Sequence, residues 1–477
     1  MHTGRHRRIA IVGGGLSGAA MLISLLRSQY AGEIIIHEPE PEIGPGLPYG
    51  AAAPWHQLNV IATRASLREE DPDHWWQWAK IHGPALGWPD TRHADSHSYL
   101  PRRLFGHYIR FELAEARRGN PHATVTHERS PVVSIEEAAS GFLITSRDGL
   151  VSFCDSVVLA IGAPSPNRLQ VPGAAALRAA GRWIDDPWDP VRLRALPPDQ
   201  PVLIVGSALT MADTVVSLRQ LGHCGQILVL SRHGIVPEER REQPTRPSGL
   251  SADLSVLPLS TLLRQLRHAV ALHGQDRWQG VFEDLRSYSN ALWCSLPTEA
   301  RRQFMRHLRP YWDAHRFRMP PETAQIVTGL RAAGILRVLK GRLNDVALTG
   351  DGIRARAVIR GQGGIVEMQA SAVIDCTGPR QSDNDWAGGL LEQMQQHGMV
   401  QTSPCGIGIH ATPEGEILAS GDRIVPGLYG LGPALRGTLL ETTAIAEIRQ
   451  QASMTAERLV DGWQIPGRSG MRPRATA

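Results

Sequence analysis

Three glycines near the start of the chain have the spacing of a dinucleotide-binding turn. Gly13, Gly15 and Gly18 stand between an apolar run at 8–12 and a segment of helical character at 16–28. In such a turn the first glycine permits a tight bend, the second lets a pyrophosphate approach the backbone, and the third lets the helix pack closely on the strand. The start of the helix then presents its N–H groups and its dipole to the phosphates. We therefore expect a dinucleotide site at the end of the first strand.

An acidic residue completes this first unit. A second strand is predicted at 33–37, and Glu38 follows it, 25 residues after Gly13. A carboxylate at that place accepts hydrogen bonds from ribose hydroxyls, which favours an unphosphorylated ribose, as in FAD. Ser17, within the glycine motif, is counted among the residues that bind this dinucleotide. The alternative is a glycine-rich surface turn followed by a glutamate by chance.

The same pattern begins again near the middle of the chain. An apolar strand leads into a turn in which Gly206, Ser207 and Thr210 are expected to bind a second dinucleotide. Two positions depart from the motif, with Ala208 in place of the second glycine and Met211 in place of the third. Alanine is tolerable there, whereas methionine implies looser packing of the helix on the strand. An α/β unit that does not bind a nucleotide is the alternative.

The second unit ends on a basic residue where the first ends on an acidic one. Arg232 lies 26 residues after Gly206 and is topologically equivalent to Glu38. A guanidinium at this place can pair with a 2′-phosphate. The second site is therefore expected to prefer NADPH over NADH.

Small residues follow two further predicted strands. Gly162 ends the apolar run at 157–161, and Gly378 ends the one at 372–376. These places resemble the domain crossings of two-domain flavoproteins, where small residues let the backbone pass close to the flavin. Gly432 resembles part of the last FAD-contacting turn of such proteins, ahead of a helix predicted at 441–459. Ordinary strand-end turns and a capped core helix are the alternatives.

The sequence shows no arrangement of Ser, His and Asp that indicates a catalytic triad, and it does not identify the catalytic residues. The candidates are His56, Asn59 and Arg64, because they belong to or follow a loop that should border the flavin. A structural role is the favoured interpretation of His56. Asn59 and Arg102 are also expected to bind cofactor. Arg64 and Arg102 are each expected to form a salt bridge or to face a phosphate. The alternative is that they bind a planar anionic substrate.

Composition excludes several classes of protein. The 477 residues are 42% hydrophobic and 20% charged, which excludes a disordered or collagen-like chain. A net charge of +4 is too small for a nucleic-acid-binding stripe. The five cysteines include no CxxC pair, which predicts a reducing cytoplasm, no metal site and no dithiol reductase of the usual type. No segment has the ~18 consecutive apolar residues that a membrane span needs. The sequence does not predict the oligomeric state.

The order of the elements predicts an α/β chain with two Rossmann-like dinucleotide-binding domains, the second inserted in the first. The FAD-binding domain is expected at 1–175 and again, with a C-terminal helix, at 366–477. The NAD(P)H-binding domain is expected at 176–365, with a helical segment at 250–330. Parallel strands alternating with helices favour this class.

Motifs across nearly the whole chain resemble those of the bacterial FAD/NAD(P)-binding flavoproteins. They are Gly13–Gly18, Ile43-Gly44-Pro45-Gly46, Leu58-Asn59-Val60, Pro101-Arg102, Gly106 with Tyr108, Asp186-Pro187-Trp188, Cys376-Thr377-Gly378-Pro379, Leu431-Gly432-Pro433 with Arg436-Gly437, and Glu441-Thr442-Thr443-Ala444. In layout this family is similar to two-domain flavin monooxygenases, including the siderophore N-hydroxylases.

The resemblance implies an FAD-dependent monooxygenase that consumes NAD(P)H and O2 and hydroxylates a small molecule. One member of the family hydroxylates urate, and similarity to it in length and motifs makes conversion of urate to 5-hydroxyisourate the first expectation. An N-hydroxylase of an amine or amino acid is an alternative. Two further alternatives are an oxidoreductase that passes electrons to a partner protein and a flavin-binding sensor that catalyses no reaction.

Overall fold

The computed structural model describes residues 7–163, 168–251, 253, 257–361, 364–378 and 389–461. Its strands are β1 (Arg8–Val12), β2 (Glu33–His37), β3 (Thr124–Glu128), β4 (Val132–Ala138), β5 (Gly141–Ser146), β6 (Val151–Cys154), β7 (Ser156–Leu159), β8 (Trp183–Ile184), β9 (Val202–Val205), β10 (Ile227–Ser231), β11 (Leu336–Leu348), β12 (Ile353–Ile359), β13 (Ile365–Ala370), β14 (Val373–Asp375), β15 (Glu416–Leu418) and β16 (Ile424–Gly430). Its helices are α1 (Leu16–Arg27), α2 (Gly46–Gly50), α3 (His74–His82), α4 (Arg102–Gly119), α5 (Ala174–Ala179), α6 (Pro190–Arg194), α7 (Leu209–Gln220), α8 (Leu259–His273), α9 (Trp278–Ser295), α10 (Thr298–Gln303), α11 (Arg309–Arg316), α12 (Pro321–Ala332), α13 (Leu390–Gln396) and α14 (Ile445–Asp461).

The first sheet has six strands in the order β15-β16-β7-β1-β2-β3, and all but β15 run parallel. Side chains alternate between its two faces, as the twofold period of a strand requires. Ile9 and Ile11 pack with helices α1, α4 and α14 on one face. Ala10 and Val12 pack on the other face, where the small antiparallel sheet β4-β5-β6 contributes Ile135 to the core. Burial on both faces explains why β1 is an unbroken apolar run.

The second sheet has seven strands in the order β13-β12-β11-β10-β9-β14-β8. The five strands from β11 to β8 are parallel, and β12 and β13 add an antiparallel edge. Its core again divides by face, with Ile204 and Val229 on one side and Leu203 and Leu228 on the other. The fold therefore contains two separate parallel sheets, each with its own core.

The chain leaves the first sheet after β7, builds the second, and then returns. The return is made by β16, which pairs with β7 so that Leu428 lies opposite Val157. This connection confirms the predicted fold class, with the second α/β domain inserted in the first. The last strand of the second sheet ends at Asp375, ten residues beyond the boundary expected at residue 365.

A helical segment lies between β10 and α12 and consists of α8 to α11. Leu262, Leu292, Trp293 and Trp312 form the centre of its core. Leu440, from the C-terminal part of the first domain, packs against the same cluster. The segment therefore rests on the first domain, although its sequence position is inside the second.

Candidate functional site

At two of the three glycines of the first turn, the neighbouring backbone leaves no room for a side chain. Gly13 has a φ of +101°, and a Cβ there would lie 2.4 Å from the carbonyl oxygen of Ala160. A Cβ on Gly18 would lie 1.9 Å from the carbonyl oxygen of Gly13. At Gly15 the nearest atom to a Cβ is 3.7 Å away, so the space above this residue is open. No side chain within the described ranges caps α1, and its first N–H groups are available to a pyrophosphate.

Glu38 lies at the edge of this turn. Its Oε2 accepts a hydrogen bond from the backbone N–H of Gly14 at 2.6 Å, and its Oε1 accepts one from the N–H of Glu40 at 3.0 Å. The half-buried carboxylate is therefore held at the end of β2, where a ribose that lies on the turn would meet it.

A C-terminal turn closes the same site from another side. A Cβ on Gly432 would lie 2.3 Å from Oγ of Ser17, so this turn packs directly on the start of α1. Its backbone is fixed because Gly432 N–H donates to Oε1 of Gln451 at 3.0 Å and its carbonyl accepts from Oγ1 of Thr442 at 2.8 Å. The structure thus brings Gly432 and Ser17 together although 415 residues separate them in sequence.

One contributor to this site was not among the expected site residues. Gly46, in the Pro-Gly segment that opens α2, faces Gly15, and a Cβ on Gly46 would lie 3.0 Å from the Cα of Gly15. The Gly44 N–H donates to the carbonyl of Gly14 at 2.7 Å. The repeated glycines of 44–46 were the available signal, because closely spaced glycines indicate a close backbone approach.

The second glycine turn repeats the geometry of the first. Gly206 has a φ of +106°, and a Cβ there would lie 2.3 Å from the carbonyl oxygen of Cys376. Oγ of Ser207 lies 2.8 Å from Oγ of Ser231 and 2.5 Å from the carbonyl oxygen of Ile235. Met211, in place of the third glycine, is fully buried in the domain core. The half-buried Thr210 lies in the first turn of α7.

Positive charge collects at the end of β10. Arg232 is exposed there, and its guanidinium has no ion-pair partner in the part of the chain that the structure describes. The pKa of the adjacent His233 is lowered by burial and by the charges of Arg232, Lys340 and Arg360. These cations surround the place where a 2′-phosphate would lie in a fold of this type.

The two crossing glycines lie where expected in sequence. Gly162 follows β7 and Gly378 follows β14, and at each an added Cβ would meet no described atom within 4 Å. No described residue therefore packs against either crossing glycine at the position of a side chain. Pro379, which belongs to the second crossing motif, lies outside the described residues.

His56 contacts the other domain. It is 2% exposed, and its Nε2 lies 2.8 Å from Oγ of Ser217 and 3.2 Å from the carbonyl oxygen of Asp213, both on α7. Its Nδ1 accepts a hydrogen bond from the N–H of Ala53 at 3.2 Å. Burial lowers its pKa, which keeps the ring neutral. With both ring nitrogens engaged, His56 has the geometry of a residue that holds the domains together.

Arg102 contacts the same helix. At the start of α4, its Nη1 donates to Oδ2 of Asp213 at 2.6 Å and its Nη2 lies 3.3 Å from Oδ1 of that residue. Its Nη2 also donates to the carbonyl of Gln57 at 2.9 Å. The guanidinium expected to bind cofactor is therefore engaged in a buried two-point ion pair between the domains. Asp213 gave one signal in the sequence, a lone acid within the apolar run 211–216, since a buried charge needs a partner.

Arg64 and Asn59 differ in their surroundings. Arg64 pairs with Glu283 of the helical segment, which also binds Arg240 and Arg318. Burial would raise the pKa of Glu283, but the three arginines hold it well below its usual range. Asn59 is half-buried, and its side-chain amide has no hydrogen-bond partner among the described residues. Of the three catalytic candidates, His56 and Arg64 are engaged with other segments, whereas the Asn59 side chain has no partner among the described residues.

Two further ion pairs join the helical segment to the first domain. Arg316 donates to both carboxylate oxygens of Glu441 at 2.8 Å, and both side chains are buried. Arg286 pairs with Glu447 at 2.7 Å. Arg316 was expected to be salt-bridged or to face a phosphate, but no local pattern identifies either pair, because each partner is more than 120 positions away.

Neither a metal centre nor a membrane helix is found in the described ranges. Those ranges contain no group of three or more His, Cys, Asp or Glu side chains that could hold an ion. None of their helices is sufficiently long and apolar to cross a bilayer.

A family model matches the first part of the chain. Residues 10–164 match the family described as FAD-NAD(P)-binding. The matched segment contains the first glycine turn, Glu38 and the crossing at Gly162. No curated protein matches the sequence.

Solved structures match over nearly the whole chain. Ornithine hydroxylase from Pseudomonas aeruginosa, in its reduced form, is 17% identical with a TM-score of 0.62, over 96% of this chain and 99% of that chain. L-lysine 6-monooxygenase from Pseudomonas syringae is 15% identical with a TM-score of 0.64, over 96% and 100%. The ornithine N-hydroxylase of Kutzneria sp. 744, in a complex with reduced FAD, NADP+ and L-ornithine, is 15% identical with a TM-score of 0.59, over 95% and 99%. At these identities the likeness shows a shared fold.

The family match and the geometry agree on the cofactors. The open space above Gly15, the uncapped start of α1 and the carboxylate of Glu38 fit FAD, and the basic end of β10 fits a nicotinamide dinucleotide. The predicted FAD/NAD(P)-binding family is confirmed for the segment 10–164, and the solved structures show that the whole chain has the predicted two-domain fold. Residues 10–164 thus form an FAD-NAD(P)-binding segment within a chain of two α/β domains.

Proposed function

We propose that this flavoprotein is an NADPH-consuming monooxygenase that hydroxylates a nitrogen atom of a small amine or amino acid. The observation that carries the proposal is the agreement of fold, over 95–96% of the chain, with three enzymes named as ornithine or lysine hydroxylases. One of them holds reduced FAD, NADP+ and an amino acid together. The amine is therefore favoured over urate, for which the comparisons give no support.

The residues of each glycine turn have a defined part in this proposal. Gly15 and the start of α1 bind the FAD pyrophosphate, Glu38 holds a ribose, and the turn at Gly432 closes over the site. Arg232, with Lys340 nearby, pairs with the 2′-phosphate of NADPH. Bound FAD supplies the oxygen chemistry, while the protein binds, orients and excludes water.

The domain contact supports the same function. Arg102 with Asp213, and His56 with Ser217, fix α7 against the first domain. Because α7 begins at the second glycine turn, these contacts hold both dinucleotide turns in one relative orientation. A fixed orientation suits transfer between two bound cofactors, since misplacement by about 1 Å can cost on the order of a hundredfold in rate.

A thiol-based reductase is disfavoured by the cysteines. None forms a CxxC pair, and all five are free thiols. Burial raises the pKa of Cys154 and Cys376 to about 12, which keeps both thiols protonated and unreactive. Reduction of a partner protein through flavin alone is an outcome of the test below.

The test measures NADPH oxidation and O2 uptake by the FAD-loaded protein with L-ornithine, L-lysine, other amines and urate. We expect an amine to accelerate both quantities equally and to be recovered as a hydroxylamine. Stimulation by urate alone would replace the amine by urate as substrate. If no small molecule changes the rate while an added protein acceptor is reduced, the protein is a reductase and the proposal is wrong.

A further inference from the structure

A basic pocket lies between the helical segment and a loop of the first domain. It has a volume of about 590 Å³, within the usual range for small-molecule sites. One wall is the helical stretch that runs from α10 into α11, and the other is the loop 402–407. None of the residues shown above to form the dinucleotide turns lines it.

The helical wall presents one stripe of side chains. Arg302, Met305, Arg306 and Arg309 follow the i, i+3, i+4, i+7 spacing of a single helix face. Between α10 and α11 the backbone forms a π-helical turn at 304–308. Such turns are rare and occur frequently at functional sites. The local cause is Pro310, which lacks an N–H to donate to a carbonyl in the preceding turn.

The arginines carry more charge than their neighbours balance. Arg306 is exposed and has no ion-pair partner within the described ranges. Arg302 donates from Nε to the carbonyl of Pro404 at 2.9 Å, which leaves both Nη groups free of that contact. Arg309 pairs with Asp313 at 3.4 Å. Because no acidic side chain is among the lining residues, about two positive charges are unbalanced.

The loop wall is held by a local hydrogen bond. Oγ of Ser403 donates to the carbonyl of Ile407 at 2.6 Å. Burial raises the pKa of Cys405, so its thiol is neutral and does not repel an anion. The pocket therefore joins uncompensated cations to a hydrogen-bonded loop, with no acidic side chain among its lining residues.

The pocket shares a wall with the first dinucleotide site. A Cβ on Gly437 would lie 2.3 Å from Oγ of Ser403, so the loop 402–407 packs on the far end of the turn that begins at Gly432. The near end of that turn contacts Ser17. Arg232, the candidate for the 2′-phosphate, follows β10 on the second sheet. The pocket therefore lies outside both glycine turns and apart from the basic end of β10.

We infer that this pocket binds a dianionic group of a small molecule, a phosphate monoester or a dicarboxylate. A dianion matches the two unbalanced arginine charges, and guanidinium groups bind carboxylates and phosphates with paired hydrogen bonds. The inference goes beyond the proposed function, because it holds for any reaction that the flavin performs.

The test is isothermal titration of the full-length, FAD-loaded protein with inorganic phosphate, malonate and acetate at constant ionic strength. We expect saturable binding of phosphate or malonate and at least tenfold weaker binding of acetate; the better of the two dianions identifies the class. Arg306→Gln and Arg302→Gln should each weaken binding about tenfold or more, because each removes a charge-assisted contact.

Two variants control the assignment. Arg267→Gln changes an exposed arginine of α8 outside the pocket and should leave binding unchanged. Arg232→Ala should also leave it unchanged, which separates the pocket from the nucleotide phosphate site. Absence of saturable binding, or binding that survives Arg306→Gln but is lost in Arg232→Ala, would overturn the inference. Neither result depends on whether the protein hydroxylates an amine.

Discussion

Arg102 and Asp213 form a buried ion pair across the domain boundary, with Nη1 of the arginine 2.6 Å from Oδ2 of the aspartate. Both side chains are 10% exposed. The pair is joined by the contact of His56 with Ser217 on the same helix. Both contacts join α7 of the second α/β domain to the first domain.

Removal of one partner of this pair should be costly. Arg102→Ala leaves the carboxylate of Asp213 buried without a counter-charge, and we expect the free energy of unfolding to fall by about 3–5 kcal/mol. Urea denaturation measures this loss. Arg118→Ala, which removes an exposed pair with Glu115, is the control and should change stability by no more than ~0.5 kcal/mol. Equal effects of the two variants would contradict a structural role for Arg102.

The two glycines of the first turn should fail in different ways. Gly13→Ala places a Cβ against the carbonyl of Ala160 and should lower the melting temperature even without FAD. Gly15→Val adds a Cβ that lies 3.7 Å from its nearest protein atom, an ordinary contact, but its side chain would collide with a bound pyrophosphate. The second variant should fold with a near-normal melting temperature and remain colourless. Flavin absorbance per chain after incubation with FAD, measured beside thermal unfolding, separates the two; a yellow Gly15→Val protein would refute the assigned site.

Arg232 should determine the choice of coenzyme. Its exchange for alanine removes a charge-assisted contact to the 2′-phosphate, worth roughly 1.5–3 kcal/mol, or about ten- to a hundredfold in affinity. The KM for NADPH should rise by this factor, while the KM for NADH should stay nearly constant. Arg337→Ala, at another exposed arginine, at the start of β11, serves as the control. Parallel losses with both coenzymes would indicate that Arg232 supports the fold and not the phosphate.

His37 should make the protein sensitive to acid. It is 3% exposed on β2, and burial lowers its pKa to about 4. The unfolded chain takes up a proton below about pH 6.5 while the folded one does not, so stability falls as pH drops from 6.5 to 4, by about 3 kcal/mol. The fall should be smaller in His37→Gln. His268→Gln, at an exposed histidine, should reproduce the parent curve of unfolding free energy against pH; a parent-like curve for His37→Gln would contradict the prediction.

Local sequence patterns were sufficient for the glycine turns. Gly13 and Gly206 were predicted correctly as bends after a strand, because a turn that adopts a positive φ beside a neighbouring strand admits no other residue. Glu38 was predicted at the end of the second strand from its spacing to Gly13, which lies within the same strand-turn-helix-strand unit. Each of these features depends on fewer than 30 neighbouring residues.

Contacts between distant segments were not predictable in this way. Arg102 was expected to bind cofactor, but its partner Asp213 lies 111 residues away, and no local period connects the two. The cluster of three arginines around Glu283 also combines segments that only the folded chain brings together. The strand at 373–375 was expected near a domain crossing, yet its pairing between β8 and β9 depends on sheet order, which three residues do not encode.

The return of the chain to the first sheet has a consequence for biosynthesis. Strand β16 pairs with β7, 271 positions earlier at Leu428 and Val157, and α14 covers α1. During translation the whole second domain leaves the ribosome before the strand that completes the first sheet, and until then the edge of β7 is exposed to aberrant pairing. The turn at Gly432 emerges later still. FAD can thus be enclosed on all sides only after the whole inserted domain has been synthesised.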